Sequence, residues 1–257
     1  MKYMPILSIG MSSLFAKPKY TIGQKTRHIR DAFILPQFWS NPQYKEMYVS
    51  HPWDTIIIDN AMYEDDKAIP FGDLIDISKE LDARKIFIVP PEDHKDPLNT
   101  ARITIDGIDS WGVKGPTWNM LTIVHGLPSQ ATKMFELLWE FDDLAFGVTV
   151  SMWRAGYDRS AVMSSCPCSG DHYFHAMGLD SISEMVGLRE AGFNSVDSSM
   201  AATAAANNIP LNIDTVIRRN GSPSDPKRVP ILQESFPVET TDQTFINIQE
   251  MISFLEV

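Results

Sequence analysis

Short, continuous apolar runs recur along the chain, and stretches with helical periodicity separate them. The runs are rich in β-branched and aromatic residues, a pattern typical of parallel strands that are buried on both faces. The clear runs are Met4–Ile9, Thr55–Ile58, Lys85–Val89, Leu121–Val124, Leu144–Val150, His172–Met177 and Asn194–Val196, and a weaker one is Pro210–Ile217.

Four of the intervening stretches place their apolar residues on one helical stripe. They are Phe71–Leu81, Ser129–Phe141, Ser181–Ala191 and a C-terminal helix over about 241–255. The third begins with a capping box formed by Ser181 and Glu184, and Gly192 directly follows its end. Such start and stop signals favour helices over further strands.

The alternation of strand and helix, about eight times within roughly 250 residues, predicts an α/β fold. A (β/α)8 TIM-type barrel and a doubly wound sheet both have this order, and the length favours the barrel. We expect a single domain over residues 1–257, because too little chain follows Asn220–Pro230 to form a second core. The weakly periodic stretch over about 93–119 is predicted to be a long loop above the active face.

Composition and charge narrow the class of protein. Hydrophobic residues make up 44% of the chain and charged residues 21%, which excludes wholesale disorder. Two cysteines exclude a disulfide scaffold and favour a reducing compartment, and no apolar run approaches the length of a membrane span. The net charge of −11 means that any nucleic-acid partner must meet a local basic patch.

Polar residues follow the ends of several predicted strands, and in a barrel these ends form the active face. The set comprises Asp59, Asn60, Tyr63, Glu92, Asp93, His94, His125, Gly126, Ser151, Trp153, Arg154, His175, Asp197, Ser198 and Ser199. Any one of them could simply cap the next helix, as Asp197 with its two following serines could. Burying so many ionisable groups on one face is costly, so the set as a whole indicates a site.

Two carboxylates that face each other across a barrel mouth suit displacement at a sugar carbon. One attacks the anomeric carbon, C1, as a nucleophile, and the other transfers protons. Asp59 and Asp197 each follow a buried apolar run, so we expect them to face each other in this way. Aromatic side chains nearby can stack a flat base.

Four segments stand in order along the chain: Ile58–Tyr63, Ile123–Gly126, Phe141–Thr149, and Ala176–Asp180 with Gly192–Asp197 after a helix. Together they resemble the tRNA-guanine transglycosylase family and its phage and bacterial relatives that insert 7-deazaguanines into DNA. Ile58–Tyr63 stands where the family has Asp-Ser-Gly-Gly-Phe, and Ile123–Gly126 where it has Ile-Val-Gln-Gly. Phe141–Thr149 corresponds to Phe-Asp-Gly-Tyr-Ala-Ile-Gly-Gly-Leu. Ala176–Asp180, a helix and Gly192–Asp197 follow, where the family has Met-Gly-Val-Gly, a helix and Gly-(Ile/Val)-Asp-x-Phe-Asp.

The resemblance, which covers roughly Thr55 to Ser199, implies an enzyme that exchanges a base in a nucleic acid. By position, Asp197 would be the nucleophile that forms a covalent Asp–sugar intermediate, and Asp59 would be its proton-transfer partner. The residues implied to bind substrate are Asp93, His125, Gly147, Ser151, Arg154 and Tyr63, with Glu92 an alternative to Asp93 and Tyr157 a further contact to the nucleic-acid backbone. The implied chemistry needs no cofactor.

The chain departs from the family at the metal site and in the base pocket. The family's Cys-x-Cys-x-x-Cys zinc site with a distant His is missing, so we expect no zinc-binding subdomain and no bound metal. Cys166 and Cys168, with two histidines close by, form a metal cluster on paper, but their tight spacing favours structural cysteines. Val148 replaces one of two base-recognising glycines and His125 replaces a glutamine, which predicts an altered base pocket.

The predicted partners are a nucleic acid, DNA in preference to tRNA, and a free purine or 7-deazapurine base. Basic residues cluster at Lys17–Arg30, Arg154–Arg159 and Arg218–Arg228, either as solvated surface or as a rim that contacts phosphates. Because no nucleic-acid module is appended, a second copy of the chain or a partner protein is expected to supply further contacts. We expect no membrane contact and a cytoplasmic location, in the host if the chain is viral.

Two other hypotheses stay open. A barrel hydrolase or lyase that acts on a small nucleoside or sugar would keep both carboxylates and need no polymer. A non-catalytic protein that binds a nucleotide or a deazapurine would keep the barrel alone. Exchange of labelled guanine or 7-deazaguanine into duplex DNA would separate the three.

Overall fold

Eight parallel strands form one sheet that curves into a barrel. The computed structural model describes residues 1–7, 29–62, 67–164, 166, 172–212, 214–215 and 238–256. The strands are β1 (Lys2–Pro5), β2 (Asp31–Ile34), β3 (Trp53–Ile58), β4 (Ala83–Ile88), β5 (Asn119–Val124), β6 (Ala145–Thr149), β7 (Phe174–Met177) and β8 (Ser195–Ser198). Their order is β1-β8-β7-β6-β5-β4-β3-β2, and a parallel bridge between Ile6 and Phe33 joins the first strand to the second. The predicted (β/α)8 TIM-type barrel is confirmed.

Helices connect the strands and surround the barrel. Those described are α1 (Pro42–Val49), α2 (Phe71–Lys79), α3 (Pro97–Trp111), α4 (Pro128–Leu138), α5 (Val150–Arg154), α6 (Arg159–Ser164), α7 (Ile182–Glu190), α8 (Met200–Ala206) and α9 (Val238–Glu256). The four helices predicted from periodicity are confirmed as α2, α4, α7 and α9. Within the described part of the chain, none of these helices is long and apolar enough to span a membrane.

The second strand, β2, is absent from the predicted set. It has only four residues and begins with Asp31, whose carboxylate accepts a hydrogen bond from the Lys2 ammonium at 2.7 Å. The weak candidate over Pro210–Ile217 was wrong as far as that stretch is described. Residues 210–212 and 214–215 form a turn in which the N–H of Thr215 donates to the Asn212 carbonyl at 2.9 Å.

The prediction of a long loop over about 93–119 was also wrong, because α3 occupies Pro97–Trp111. Its buried face consists largely of Thr100, Ala101 and Thr104, which carry little of the apolar periodicity that reveals a helix. The side chain of Asp96 caps its start by accepting from two backbone N–H groups. Only short loops therefore connect this helix to β4 before it and to β5 after it.

The register of the last strands decides which side chains enter the barrel. His175 on β7 pairs with Ser195 on β8 and with Gly147 on β6, and residues in register face the same side of a sheet. Asp197, two residues after Ser195, faces that side again. Polar side chains of β7 and β8 therefore enter the interior of the barrel together.

Candidate active site

The carboxylate of Asp197 lies on the inner wall of the barrel, near the carboxyl end of β8, and the residue is only 4% exposed. Its Oδ1 accepts from the backbone N–H of Gly178 at 2.8 Å and lies 2.9 Å from Nε2 of His175. Its Oδ2 has no hydrogen-bond partner among the described residues. Asp197 therefore has one held and one unpartnered carboxylate oxygen at the end of the barrel where TIM-type barrels carry their active sites, which makes it a candidate reacting group.

His175 links Asp197 to a buried line of polar groups. Its Nδ1 lies 2.7 Å from Oγ of Ser195, and that hydroxyl accepts from the phenol of Tyr173 at 2.7 Å. The ring of Phe33 stacks on the imidazole, with ring centroids 5.9 Å apart and planes 15° from parallel. The imidazole is therefore fixed both along its edge and on its face.

Gly178, which directly follows β7, supplies the backbone donor to Asp197. Its φ of 74° lies in the left-handed region that favours glycine. A Cβ at this position would lie 3.0 Å from Cγ1 of Val150. The position therefore needs glycine on two counts, conformation and space.

The carbonyl of Gly178 is held from the other side by Arg159, whose side chain is 0% exposed. The guanidinium donates to the carbonyls of Val148 and Met177 as well, and it forms an ion pair with Glu184 at 2.5 Å. All five guanidinium N–H groups are thereby used. Arg159 thus braces the carboxyl ends of β6 and β7 against α7.

Asp59 directly follows β3 and is 7% exposed. Its backbone N–H donates to the carbonyl of Ile34, which keeps the residue against β2, and its Oδ2 accepts from the N–H of Ala61 at 3.3 Å. Because all eight strands are parallel, Asp59 and Asp197 lie at the same end of the barrel. That their carboxylates face each other across the barrel mouth stays a prediction.

His125 follows β5 and is 6% exposed. Its Nε2 lies 3.0 Å from Oγ1 of Thr100, whose hydroxyl donates to the carbonyl of Asp93 and accepts from the N–H of Asp93. When the threonine hydrogen is directed to the Asp93 carbonyl, Nε2 of His125 carries the ring hydrogen and donates to Oγ1. Burial lowers the pKa of His125, so the ring is neutral at neutral pH and its Nδ1 is an acceptor.

Asp93 has a local role in this structure. Its carboxylate accepts from the N–H groups of Lys95 and Asp96 and from the side-chain amide of Asn99. The amide of Asn99 is the main cause of a lowered pKa for Asp93, which keeps the carboxylate ionised. The carboxylate therefore stabilises the turn before α3, and its backbone orients Thr100 and through it His125.

Gly147 and Ser151 also have local contacts. A Cβ on Gly147 would lie within about 3 Å of the side chains of Leu121, Ile123 and Met177, so the glycine leaves room for these residues inside the barrel. This packing role is not the one that the resemblance implied for Gly147. The hydroxyl of Ser151, at the start of α5, lies 2.6 Å from that of Thr149 on an exposed edge.

The two arginines of the basic cluster over Arg154–Arg159 are each paired with a carboxylate. Arg154 binds Asp180 through two hydrogen bonds of 2.6 Å, and Arg159 is wholly buried. The burial of Arg159 contradicts both interpretations for that residue, whereas Arg154 is paired with Asp180 and partly exposed, so its role as a substrate contact stays a prediction. Tyr157, between them, is half-buried.

Several candidates lie outside the described residues. They are Tyr63, Cys168, the cluster Arg218–Arg228 and most of Lys17–Arg30. Cys166 is half-buried and disulfide-bonded. Among the described residues, no group of three or more His, Cys, Asp or Glu side chains could hold a metal ion.

Sequence reasoning missed Ser195, Tyr173 and Arg159, and it placed His175 at a strand end without assigning it to the site. The sequence does contain a signal for Ser195 and Tyr173, which is their spacing relative to Asp197 and His175. Tyr173, directly before β7, and His175 on it are two residues apart, as Ser195 and Asp197 are along β8, and a period of two places all four inside the barrel once the strands are paired. Arg159 has no such signal, because a buried arginine looks like any other basic residue in a sequence.

Comparison with protein-family models found no match, and comparison with curated protein sequences found none either.

Proposed function

We propose that this chain is a transglycosylase-like enzyme that exchanges a purine base for a 7-deazaguanine-type base in a nucleic acid, DNA in preference to tRNA. The observation that carries the proposal is the state of Asp197, with Oδ1 held by Gly178 and His175 and Oδ2 without a partner. The four segments of family resemblance, one of which ends at Asp197, support it.

The proposed reaction has two displacements at the sugar. Oδ2 of Asp197 attacks C1, the bond between C1 and the base nitrogen breaks, and the departing base takes the electron pair and a proton. The incoming base then loses a proton from its ring nitrogen, which attacks C1 and releases the carboxylate. Asp59, at the same end of the barrel, is the proposed carrier of both protons.

The state of His125 supports a base with a donating edge. Its neutral ring offers Nδ1 as an acceptor, because Nε2 is engaged with Thr100. A guanine-type base presents N–H groups on its Watson–Crick edge, which an acceptor at this rim can bind.

Trapping of a covalent adduct tests the proposal. Protein is incubated with a DNA or tRNA substrate and a 7-deazaguanine analogue, denatured, and separated on a gel that shows protein bound to nucleic acid. Wild type is expected to form an adduct, Asp197→Asn to form none, and Asp59→Asn to form it about 10²- to 10⁴-fold more slowly because proton transfer is lost. Asp76→Asn, on the exposed face of α2, is the matched control and should behave as wild type.

An adduct that persists in Asp197→Asn would contradict this role for the residue. Absence of any adduct with wild type and every polymer would contradict the base-exchange function.

A second candidate function is a hydrolase or lyase that acts on a small nucleoside or sugar. It is favoured by the pairing of Arg154 with Asp180 and by the burial of Arg159, which withdraw both guanidinium groups from phosphate binding. Release of free base from a nucleoside, with no adduct on any polymer, would identify this activity.

A further inference from the structure

A continuous line of hydrogen-bonding groups crosses the interior of the barrel and ends at Asp197. It runs from the phenol of Tyr173 to Oγ of Ser195 over 2.7 Å, from Oγ to Nδ1 of His175 over 2.7 Å, and from Nε2 to Oδ1 of Asp197 over 2.9 Å. Ser195 and His175 are 0% exposed. In such surroundings each group must find its partner within the line.

For a neutral His175, the number of hydrogens sets the direction of the line. Tyrosine and serine each have one hydroxyl hydrogen, and a neutral imidazole has one donor and one acceptor nitrogen. With Tyr173 donating to Ser195, the serine hydrogen points to Nδ1 of His175, and the ring hydrogen is left on Nε2, toward the carboxylate of Asp197. Burial raises the pKa of Tyr173, so the phenol keeps the hydrogen with which the line begins.

We propose that Ser195 and Tyr173 are positioning residues that hold His175 in its Nε2–H form and thereby hold Asp197 as a carboxylate with Oδ2 available to a substrate. The expected effect of these residues on catalysis rests on the proposed function of Asp197. The hydrogen-bonding form of His175 is independent of that function and can be measured in the protein without substrate.

The same residue types form the nucleophilic triad of many hydrolases, but this arrangement differs from a triad. In a triad the serine oxygen reaches the substrate. Here Ser195 is 0% exposed, already accepts from Tyr173, and precedes Asp197 by two residues toward the amino end of β8. The group of the line nearest the carboxyl end is the carboxylate, so Ser195 orients and Asp197 reacts.

The hydrogen-bonding form of His175 can be observed by nitrogen-15 NMR of protein labelled on histidine. The signals of its two ring nitrogens are assigned by their loss in His175→Gln. In wild type we expect Nε2 to carry the hydrogen and Nδ1 to carry none. In Ser195→Ala, Nδ1 loses its donor, so the Nδ1–H form should gain population, whereas Ser78→Ala, which removes a buried hydroxyl on α2, should leave the signals unchanged.

The same variants are then compared in the adduct assay. Loss of a hydrogen bond that orients a charged pair should slow adduct formation about 10- to 100-fold in Ser195→Ala, and Ser78→Ala should match wild type. Tyr173→Phe keeps the ring and the serine, so a smaller change of the same sign is expected in both measurements. This variant serves as the test if Ser195→Ala fails to fold, as judged by circular dichroism.

The outcomes separate the two proposals. Nδ1–H or doubly protonated His175 in wild type, or unchanged ring signals in both Ser195→Ala and Tyr173→Phe, would overturn the positioning role. A wild-type protein with the expected Nε2–H form that never yields an adduct or an exchanged base would leave the line in place and overturn the transglycosylase function alone.

Discussion

Two buried pairs of an acid and a base lie near the carboxyl end of the barrel, and they differ in what the base can do. Arg159 pairs with Glu184 on the side of β6 and β7 that faces α7, and His175 pairs with Asp197 inside the barrel. Each carboxylate has one oxygen engaged, and Oε2 of Glu184 is buried without a hydrogen bond. Arginine stays charged and uses all five donors, whereas the imidazole can exchange which nitrogen holds the hydrogen.

The first pair is thus suited to holding a shape and the second to reacting. Gly178 connects them, because its carbonyl accepts from Arg159 at 3.0 Å and its N–H donates to Asp197 at 2.8 Å. Burial of a carboxylate therefore does not by itself indicate function. The neighbours of each carboxylate, rather than its exposure, distinguish the structural pair of Arg159 and Glu184 (the brace) from the candidate nucleophile, Asp197.

The largest expected effect on stability comes from removing the brace. Arg159→Met keeps much of the length of the side chain but leaves Glu184 buried without its partner and three backbone carbonyls without a donor. We expect the free energy of unfolding to fall by about 3–5 kcal/mol, measured by urea denaturation. Arg154→Met, at a partly exposed arginine paired with the buried Asp180, should cost less, about 1–3 kcal/mol. Equal losses in the two variants would contradict the assignment of Arg159 as the brace.

An intermediate effect is expected at Gly178, where brace and site meet. Gly178→Ala must place alanine at a φ of 74° with its Cβ 3.0 Å from Val150, at a cost of about 1–2 kcal/mol in unfolding free energy. Gly156→Ala is the matched control, since its φ is 86° and a Cβ there meets nothing within 4 Å. Both variants should lose stability, but Gly178→Ala alone should slow adduct formation, by about tenfold, because the N–H that holds Asp197 moves. Equal rates in the two variants would show that this donor does not matter to the reaction.

The strands of the barrel could be predicted from the sequence because most are buried on both faces. Such strands appear as uninterrupted apolar runs, and β3 to β8 each overlap one. β2 could not be found, because its apolar run is only the three residues Ala32, Phe33 and Ile34. Its pairing with β3, which is not visible in the sequence, makes this short run a strand. Helix α3 was hidden by threonine and alanine on its buried face.

The candidate site was predictable only in part, for a related reason. Strand ends indicate which rim a residue occupies, so Asp59 and Asp197 could be placed together at one end. Which neighbours a buried side chain meets depends on the pairing of strands far apart in sequence. The contact of His175 with Asp197, the engagement of Arg154 by Asp180 and the local role of Asp93 all became visible only with that pairing and the loops that follow it.

The smallest expected effect concerns the pH dependence of the brace. Burial raises the pKa of Glu184 above its ordinary value of 4.5, and the opposing attraction of Arg159 only reduces this shift. The folded protein therefore binds this proton more tightly than the unfolded chain, so the contribution of Glu184 to stability is present below pH 4.5 and is lost as the pH rises through the folded pKa.

In urea denaturation at a series of pH values, the unfolding free energy of wild type minus that of Glu184→Gln should fall as the pH rises from 4.5. Glu190→Gln, on the exposed face of the same helix, should give a flat difference. A difference that grows with pH would mean that the ion pair outweighs burial, and that Arg159 and Glu184 stabilise the fold as a charged pair rather than by the hydrogen bonds of the guanidinium to the strand ends.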